Sequence, residues 1–345
     1  MPVRQFVEPI DGYERRWRKV NSSRFNCDTV LEDHQNDGTS EFSSEVPECV
    51  RKTCYEYRGV IMPNFMPTRC MRKLEHFETR PDDLFVISYP KSGTTWIQQL
   101  ALLIRFDGNL SLLADQHIMT LVPFLDSVDF LNLTNVDTAA TYIDMAASMP
   151  SPRIMKSHSL LNWLPPDIRS HDPKVKVIYV ARNPKDVAVS YFHFCHYSPL
   201  LPSYDSWDTF FEEYIEGRAP QGSWFENVLP WWKRRNHPNV LFLKYEDMKK
   251  DLHTAVVQIM QFMGKSLPSD VIDQIVAAST FDAMKKSPSS NPDLQAGRTI
   301  ERGSFMRKGA VADWKNYFSD EQSCRFDELY KKELAESGLD FDFSL

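Results

Sequence analysis

Lys91, Gly93, Thr94 and Thr95 lie together in the stretch YPKSGTTW (Tyr89 to Trp96), between a short apolar run and a helical pattern. A lysine, a glycine and two hydroxyls at the exit of a strand could hold an anion. The helix start presents free N–H groups and a positive end, and glycine lets the backbone approach closely. For GTT alone, an ordinary strand-to-helix turn with a surface lysine would be the better reading. Lys91, both hydroxyls and the strand–helix context tip the balance to an anion site.

The lysine precedes the glycine, and the common nucleotide loop GxxxxGK[ST] is absent from the chain. A magnesium-dependent phosphotransferase needs a carboxylate to hold its metal. The strand that could carry it, VKVIYV (175–180), ends instead in Ala181 and Arg182. The site is expected to neutralise its ligand with side chains and no metal. That counts against a kinase or NTPase.

Three further clusters carry chemistry. In ARNPKDVAVSYFHF (181–194), Asn183 is a natural N-cap, Pro184 fits the first helical position and Asp186 fits a capping box. Arg182 then stands at a strand end, able to fork onto a phosphate, with Ser190 about two turns into the helix. FMRKG (305–309) sets Arg307 and Lys308 beside Gly309 in a cationic turn. MKSHS (155–159) puts Lys156 and His158 on one side of an extended strand end, and histidine is the usual general base near neutral pH. Each has a bland reading when taken singly: a capped helix with a surface arginine, a solvated basic turn, a satisfied histidine.

Elements must position these groups. LFVIS (84–88), RIMK (153–156), VKVIYV and VLFLK (240–244) are apolar strand candidates, and SWDTFFEEYIEG (206–217) and DMKKDLHTAVVQIMQFMG (247–264) are helical. Apolar strands alternating with helices predict an α/β fold: one P-loop-like domain with a central parallel sheet flanked by helices on both faces. SPSSNPDLQAG (287–297) reads as a loop. Residues 1–56 differ in character: from Cys27 to Glu48 there are seven acidic residues and no lysine or arginine. They are read as a polar, partly mobile extension, with the domain at 57–345.

The chain has 345 residues, 42% of them hydrophobic, and a net charge of −7, which argues against a general nucleic-acid binder. The start is charged throughout, unlike a secretory signal, and no window approaches the roughly 18 apolar residues of a membrane helix. A soluble, cytoplasmic, unanchored protein is expected. The six cysteines, Cys27, Cys49, Cys54, Cys70, Cys195 and Cys324, show no CxxC pair and are read as free thiols.

Together the segments RPDDLFVISYPKSGTTW, PFLD, MKSHS, VIYVARNPKDVAVSYFHF, LFLKYEDMKKD, STFDAMKKSP and FMRKGAVADWKNYF resemble the cytosolic sulfotransferases, which use 3′-phosphoadenosine-5′-phosphosulfate (PAPS). The resemblance runs from about Tyr57 to near Tyr330. It implies that Lys91, Ser92, Gly93, Thr94 and Thr95 hold the 5′-phosphosulfate. Arg182, Ser190, Arg307, Lys308 and Gly309 would hold the 3′-phosphate. Trp96, Tyr245 and Phe281 would surround the adenine, with Ser279 where the family usually has threonine. His158 would be the base, with Lys156 assisting at the sulfuryl group and Lys91 reaching the bridging oxygen. Phe65, Phe124, Leu125, Phe130, Phe194 and Tyr197 are candidates to line an apolar acceptor site. The acceptor would then be a small hydrophobic alcohol, phenol or amine, and the nucleotide product adenosine 3′,5′-bisphosphate (PAP).

The sequence departs from the family pattern in three places. Of the homodimer segment KxxxTVxxxE, only Lys315 is kept, with Ser319, Asp320 and Cys324 at the other places. The spacing from Trp96 to Lys156 is longer than usual, in a region that borders the acceptor pocket. The extension is not typical. Two alternatives stay open: a catalytically silent nucleotide-binding protein, and a variant that dehydrates an allylic alcohol through its sulfate.

Overall fold

Side-chain alternation along two strands decides the layers. In β3 (Leu84–Ile87), Leu84 and Val86 join one apolar cluster while Phe85 and Ile87 join another. In β5 (Lys176–Ala181), Ile178 and Val180 go with the first cluster, and Val177, Tyr179 and Ala181 with the second. A strand buried on both faces has to sit mid-sheet between two covering layers. The computed structural model describes residues 42, 46–113, 116–129, 135–294 and 303–344.

Along the chain, α1 (Glu48–Thr53) leads into the antiparallel pair β1 (Cys54–Tyr57) and β2 (Val60–Pro63), then α2 (Thr68–Glu75) and β3. Next come α3 (Thr94–Arg105), α4 (Ile118–Leu121), α5 (Tyr142–Ser148), β4 (Ile154–Ser157), α6 (Pro166–Arg169) and β5. After β5 follow α7 (Pro184–Tyr197), α8 (Trp207–Ile215), α9 (Trp224–Lys233), β6 (Val240–Lys244) and α10 (Tyr245–Lys250). The last helices are α11 (Leu252–Phe262), α12 (Ser269–Ala278), α13 (Phe281–Lys285) and α14 (Asp320–Leu334). The central sheet runs β4-β3-β5-β6, all parallel, with Val86 opposite both Lys156 and Ile178. This is the expected α/β architecture. It delivers the ends of β3, β4 and β5 to one edge.

One sequence expectation needs correction. The helix read over 247–264 is two helices, because Asp251 leaves the helical region (φ −144°, ψ 88°) and its carboxylate caps α11, accepting from Thr254 N at 2.9 Å. The domain boundary at 57 falls at the end of β1. Val50, Cys54 and Tyr55, assigned to the extension, are buried in the same cluster as Phe85 and Tyr179, so packing starts with α1. Residues 1–41 and 43–45, with Cys27 among them, lie outside the described residues, as do Phe130 and the end of the 287–297 loop. Cys49, Cys54, Cys70, Cys195 and Cys324 are free thiols. Among the described residues no helix is long and apolar enough to cross a membrane, and no cluster of His, Cys, Asp or Glu could hold a metal ion.

Candidate active site

The loop after β3 is shaped by its backbone. Gly93 adopts φ 108°, and a Cβ there would lie 2.9 Å from Cδ2 of Tyr245, so glycine is required on both counts. Its carbonyl starts α3, accepting from Trp96 N at 3.0 Å. Thr94 Oγ1 and Ser88 Oγ share a hydrogen bond of 2.6 Å. Ser92 is fully buried, and its hydroxyl has no partner among the described residues. Lys91 lies in the left-handed region (φ 66°), with Nζ 4.0 Å from the ring centre of Phe194 and 4.7 Å from that of Phe305. Burial, with Lys156, Arg182 and Arg307 nearby, pushes the Lys91 ammonium down to about 7.

β4 brings the second cluster alongside. Register places Lys156 beside Val86 of β3, and a parallel bridge from Lys156 to Phe124 adds the segment 123–128 to the sheet edge. The Lys156 ammonium sits 4.0 Å from the centre of the Phe124 ring, and burial lowers its pKa to about 8. His158 is buried, its ring 5.1 Å from that of Phe124 at a steep angle. Its Nδ1 lies 2.7 Å from the Ser88 carbonyl oxygen, which can only accept, so Nδ1 carries the proton and Nε2 the lone pair. Burial and then the charge on Lys156 hold the ring well below the ordinary histidine range, hence neutral at physiological pH. The structure thus brings Lys91, Lys156 and His158 into one electrostatic neighbourhood.

The remaining cations gather at the end of β5. Asn183 caps α7, accepting from Asp186 N at 2.8 Å, as its sequence predicts. Arg182 is buried, its guanidinium 4.5 Å from the Tyr245 ring centre, donating to Ala310 O at 2.8 Å; its Nε has no partner among the described residues. Arg307 and Lys308 both pair with Asp313, Lys308 at 2.6 Å, and these bonds outweigh burial to hold Asp313 down at about 2. Gly309 (φ 60°) lies so close to Phe281 that a Cβ would meet its ring at 2.1 Å. Phe281, Lys308, Gly309 and Lys249 border a cavity of about 580 Å³. Trp96 donates its indole N–H to Ser279 O at 2.7 Å and meets the Tyr245 ring edge-on at 5.4 Å. The buried Ser279 hydroxyl has no partner among the described residues. Ser190 is half-buried on α7.

Of the acceptor candidates, Phe124 touches both Lys156 and His158, and Phe194 stacks on Tyr197. Phe65 and Leu125 are buried in the core; Val128 N donates to the Phe65 carbonyl at 3.1 Å. Sequence reasoning gave no role to Asp126, Ser88, Asn227, Phe305 or Asp313. Ser88, Asp126, Phe305 and Asp313 lie inside the quoted segments LFVIS, PFLD and FMRKGAVADWKNYF, so a signal existed. Asn227 had none, since only the fold brings its amide 3.1 Å from the His158 carbonyl.

Comparison with known proteins places this geometry. Residues 81–338 match the sulfotransferase domain family. Sulfotransferase 1C2 of Rattus norvegicus is 38% identical over 275 residues, covering 79% of this chain and 90% of that protein. The amine sulfotransferase of Oryctolagus cuniculus is 38% identical over 303 residues, covering 86% and 95%. The solved structure of retinol dehydratase with androsterone and the inactive cofactor PAP superposes with a TM-score of 0.74 at 28% identity, over 84% of this chain and 91% of that one.

Proposed function

Because the chain belongs to the sulfotransferase domain family, we propose that it transfers a sulfuryl group from PAPS to a hydroxyl or amine of a small hydrophobic acceptor, with His158 as general base. It is a PAPS-dependent sulfotransferase. The observation that carries the finer reading is a neutral, buried His158 with Nδ1 committed to Ser88 and Nε2 uncommitted, beside two lysines.

The residues present fit a doubly phosphorylated adenosine. Ser92 Oγ, Ser279 Oγ and Arg182 Nε are buried polar atoms without partners among the described residues, which an anionic nucleotide would satisfy. Lys91, Ser92, Gly93, Thr94 and Thr95 at the start of α3 would hold the 5′ end, where N–H groups and the helix dipole favour negative charge. Arg182, Ser190, Arg307, Lys308 and Gly309 would hold the 3′-phosphate, which then competes with Asp313 for two cations. Trp96, Tyr245, Ser279 and Phe281 would surround the adenine.

When bound, PAPS supplies an activated sulfuryl group, and its transfer releases PAP. The chain does the rest. His158 Nε2 accepts the proton of the acceptor hydroxyl as its oxygen attacks, a contribution of typically ~10² to 10⁴-fold. Lys91 and Lys156 hold the negative charge that accumulates around the moving group, in a site where burial makes each charge count for more. Phe124, Phe194 and Phe305 give the acceptor side an apolar wall.

A second reading rests on one observation, the similarity to a structure of retinol dehydratase. An allylic alcohol sulfonated here would hold a good leaving group; breaking its C–O bond releases sulfate, and loss of a proton from a neighbouring carbon to water forms the new C=C bond of an alkene. Incubation with labelled PAPS and a panel of phenols, steroids, retinoids and aliphatic amines tests both. Sulfate esters support transfer alone, and an alkene with free sulfate supports dehydration. No label released from PAPS with any acceptor would contradict catalysis and favour a silent binding protein.

A further inference from the structure

We propose that Asp126 is a positioning residue for sulfuryl transfer: its buried carboxylate fixes the backbone that carries His158. The inference rests on the assignment of His158 as base and deepens it.

The pairing of β4 with β3 runs out at Ser157, whose carbonyl accepts from Ser88 N at 3.4 Å. One residue on, the N–H of His158 has no strand to bond. A buried N–H needs a partner, and Asp126 provides it: Oδ2 accepts from His158 N at 2.6 Å. The other oxygen, Oδ1, accepts from Ser157 Oγ at 2.6 Å, and that hydroxyl in turn accepts from Ser159 N at 3.0 Å. On the far side, Asn227 Nδ2 donates to the His158 carbonyl at 3.1 Å while its own oxygen accepts from Tyr179 OH at 2.6 Å. With Nδ1 on Ser88 O, every polar atom of His158 except Nε2 has a named partner.

Geometry alone would not demand a charge here. An amide oxygen could accept the same N–H, and burying a carboxylate carries a large desolvation cost. Asp126 is fully buried, and burial pushes its pKa up to about 6, so it is ionised at neutral pH against that cost. The groups facing it are Lys156 on β4, His158 just past its end and Cys70 on α2. Lys91 in the loop after β3 is the next cation, acting on both lysine and histidine of the site. Attraction to Asp126 favours the charged form of Lys156, whose ammonium sits 4.0 Å from the centre of the Phe124 ring. The carboxylate therefore holds the base still, and its charge favours the ammonium form of Lys156.

The test compares Asp126→Asn, which keeps shape and an acceptor oxygen, with Asp126→Glu, which keeps the charge, and with His158→Ala, all in the full chain. kcat, KM for PAPS, the pH profile, PAP affinity and Tm are measured for each. For Asp126→Asn, kcat is expected to fall ~10- to 100-fold with KM for PAPS within about twofold, since a small misplacement costs on that order. Without the counter-charge Lys156 loses its proton at lower pH, so the alkaline limb of kcat moves to lower pH. Asp126→Glu should lower kcat and leave that limb in place. Tm of Asp126→Asn should be no lower than that of the parent, because a buried charge is removed. Wild-type kcat and pH profile in Asp126→Asn overturn the proposal. So does a loss of kcat matched by an equal loss of PAP binding and of folded protein, or a limb that shifts in Asp126→Glu as well. If His158→Ala still turns over, the base assignment itself fails, whatever Asp126 does.

Discussion

At the scale of single residues, the site is a set of cations that weaken one another until an anion arrives. Lys91 is held near 7 and Lys156 near 8, both chiefly by burial. As pH rises through these values the lysines lose their charge, so attraction for a nucleotide anion falls. Bound anion raises both pKa values again, so binding at pH 8 should take up a proton. Calorimetry of PAP binding in HEPES and in Tris, whose ionisation heats differ, should give different apparent enthalpies at pH 8, and affinity should fall from pH 7 to 9. Equal heats in both buffers would contradict the depressed lysines. Arg307→Ala belongs to the same scale. It should weaken PAP by about tenfold or more while leaving AMP, which has no 3′-phosphate, nearly unchanged; equal losses for both would contradict the assignment. Lys91, His158 and Arg182 were legible as chemistry because each sits in a loop or strand end with other functional residue types. The roles of Asp126, Ser88 and Asn227 were not, although the first two stand inside the quoted segments PFLD and LFVIS. Those roles depend on which backbone atoms the fold leaves without partners, and no residue pattern records that.

At the scale of elements, turns decide whether the cations converge. Gly93 and Ala312 make opposite cases. Gly93 sits at φ 108°, beyond the left-handed region that other residues tolerate, with Tyr245 against it. Gly93→Ala should cost about 2 kcal/mol or more in urea unfolding and impair nucleotide binding. Ala312 sits at φ 69°, holding its N–H to Asp186 Oδ2 at 2.9 Å in the turn that carries Asp313. Ala312→Gly should relieve left-handed strain and stabilise by up to ~1 kcal/mol. The same sign for both would refute the backbone argument. The strands were legible at this scale because each is a short apolar run buried on both faces. The break at Asp251 was missed: apolar periodicity runs through it, and only the cap bond to Thr254 shows that a second helix starts there.

At the scale of the molecule, segments far apart in sequence close one site, and the C-terminal segment helps hold them. Leu339 and Phe341 are buried, Phe341 packs 5.5 Å from Trp224, and the Phe343 carbonyl accepts from the Trp314 indole at 2.9 Å. Trp314 adjoins Asp313, the partner of Arg307 and Lys308. Deleting residues 339–345 should remove ~3 to 6 kcal/mol as an upper figure and weaken PAP binding in the protein that still folds. An unchanged denaturation midpoint would contradict that role. The two-faced sheet was legible from alternating strands and helices; the entry of α1 and β1 into the core was not, because the polar run before them hid Val50, Cys54 and Tyr55. The central claim is that two separate cationic subsites grip one nucleotide by its 5′ and 3′ phosphates through side chains. Titration of the whole protein with PAP and with AMP, in buffer containing EDTA, tests it most directly. PAP is expected to bind at least ~10-fold more tightly than AMP; equal affinities, or PAP binding that appears only when magnesium is added, would contradict the account.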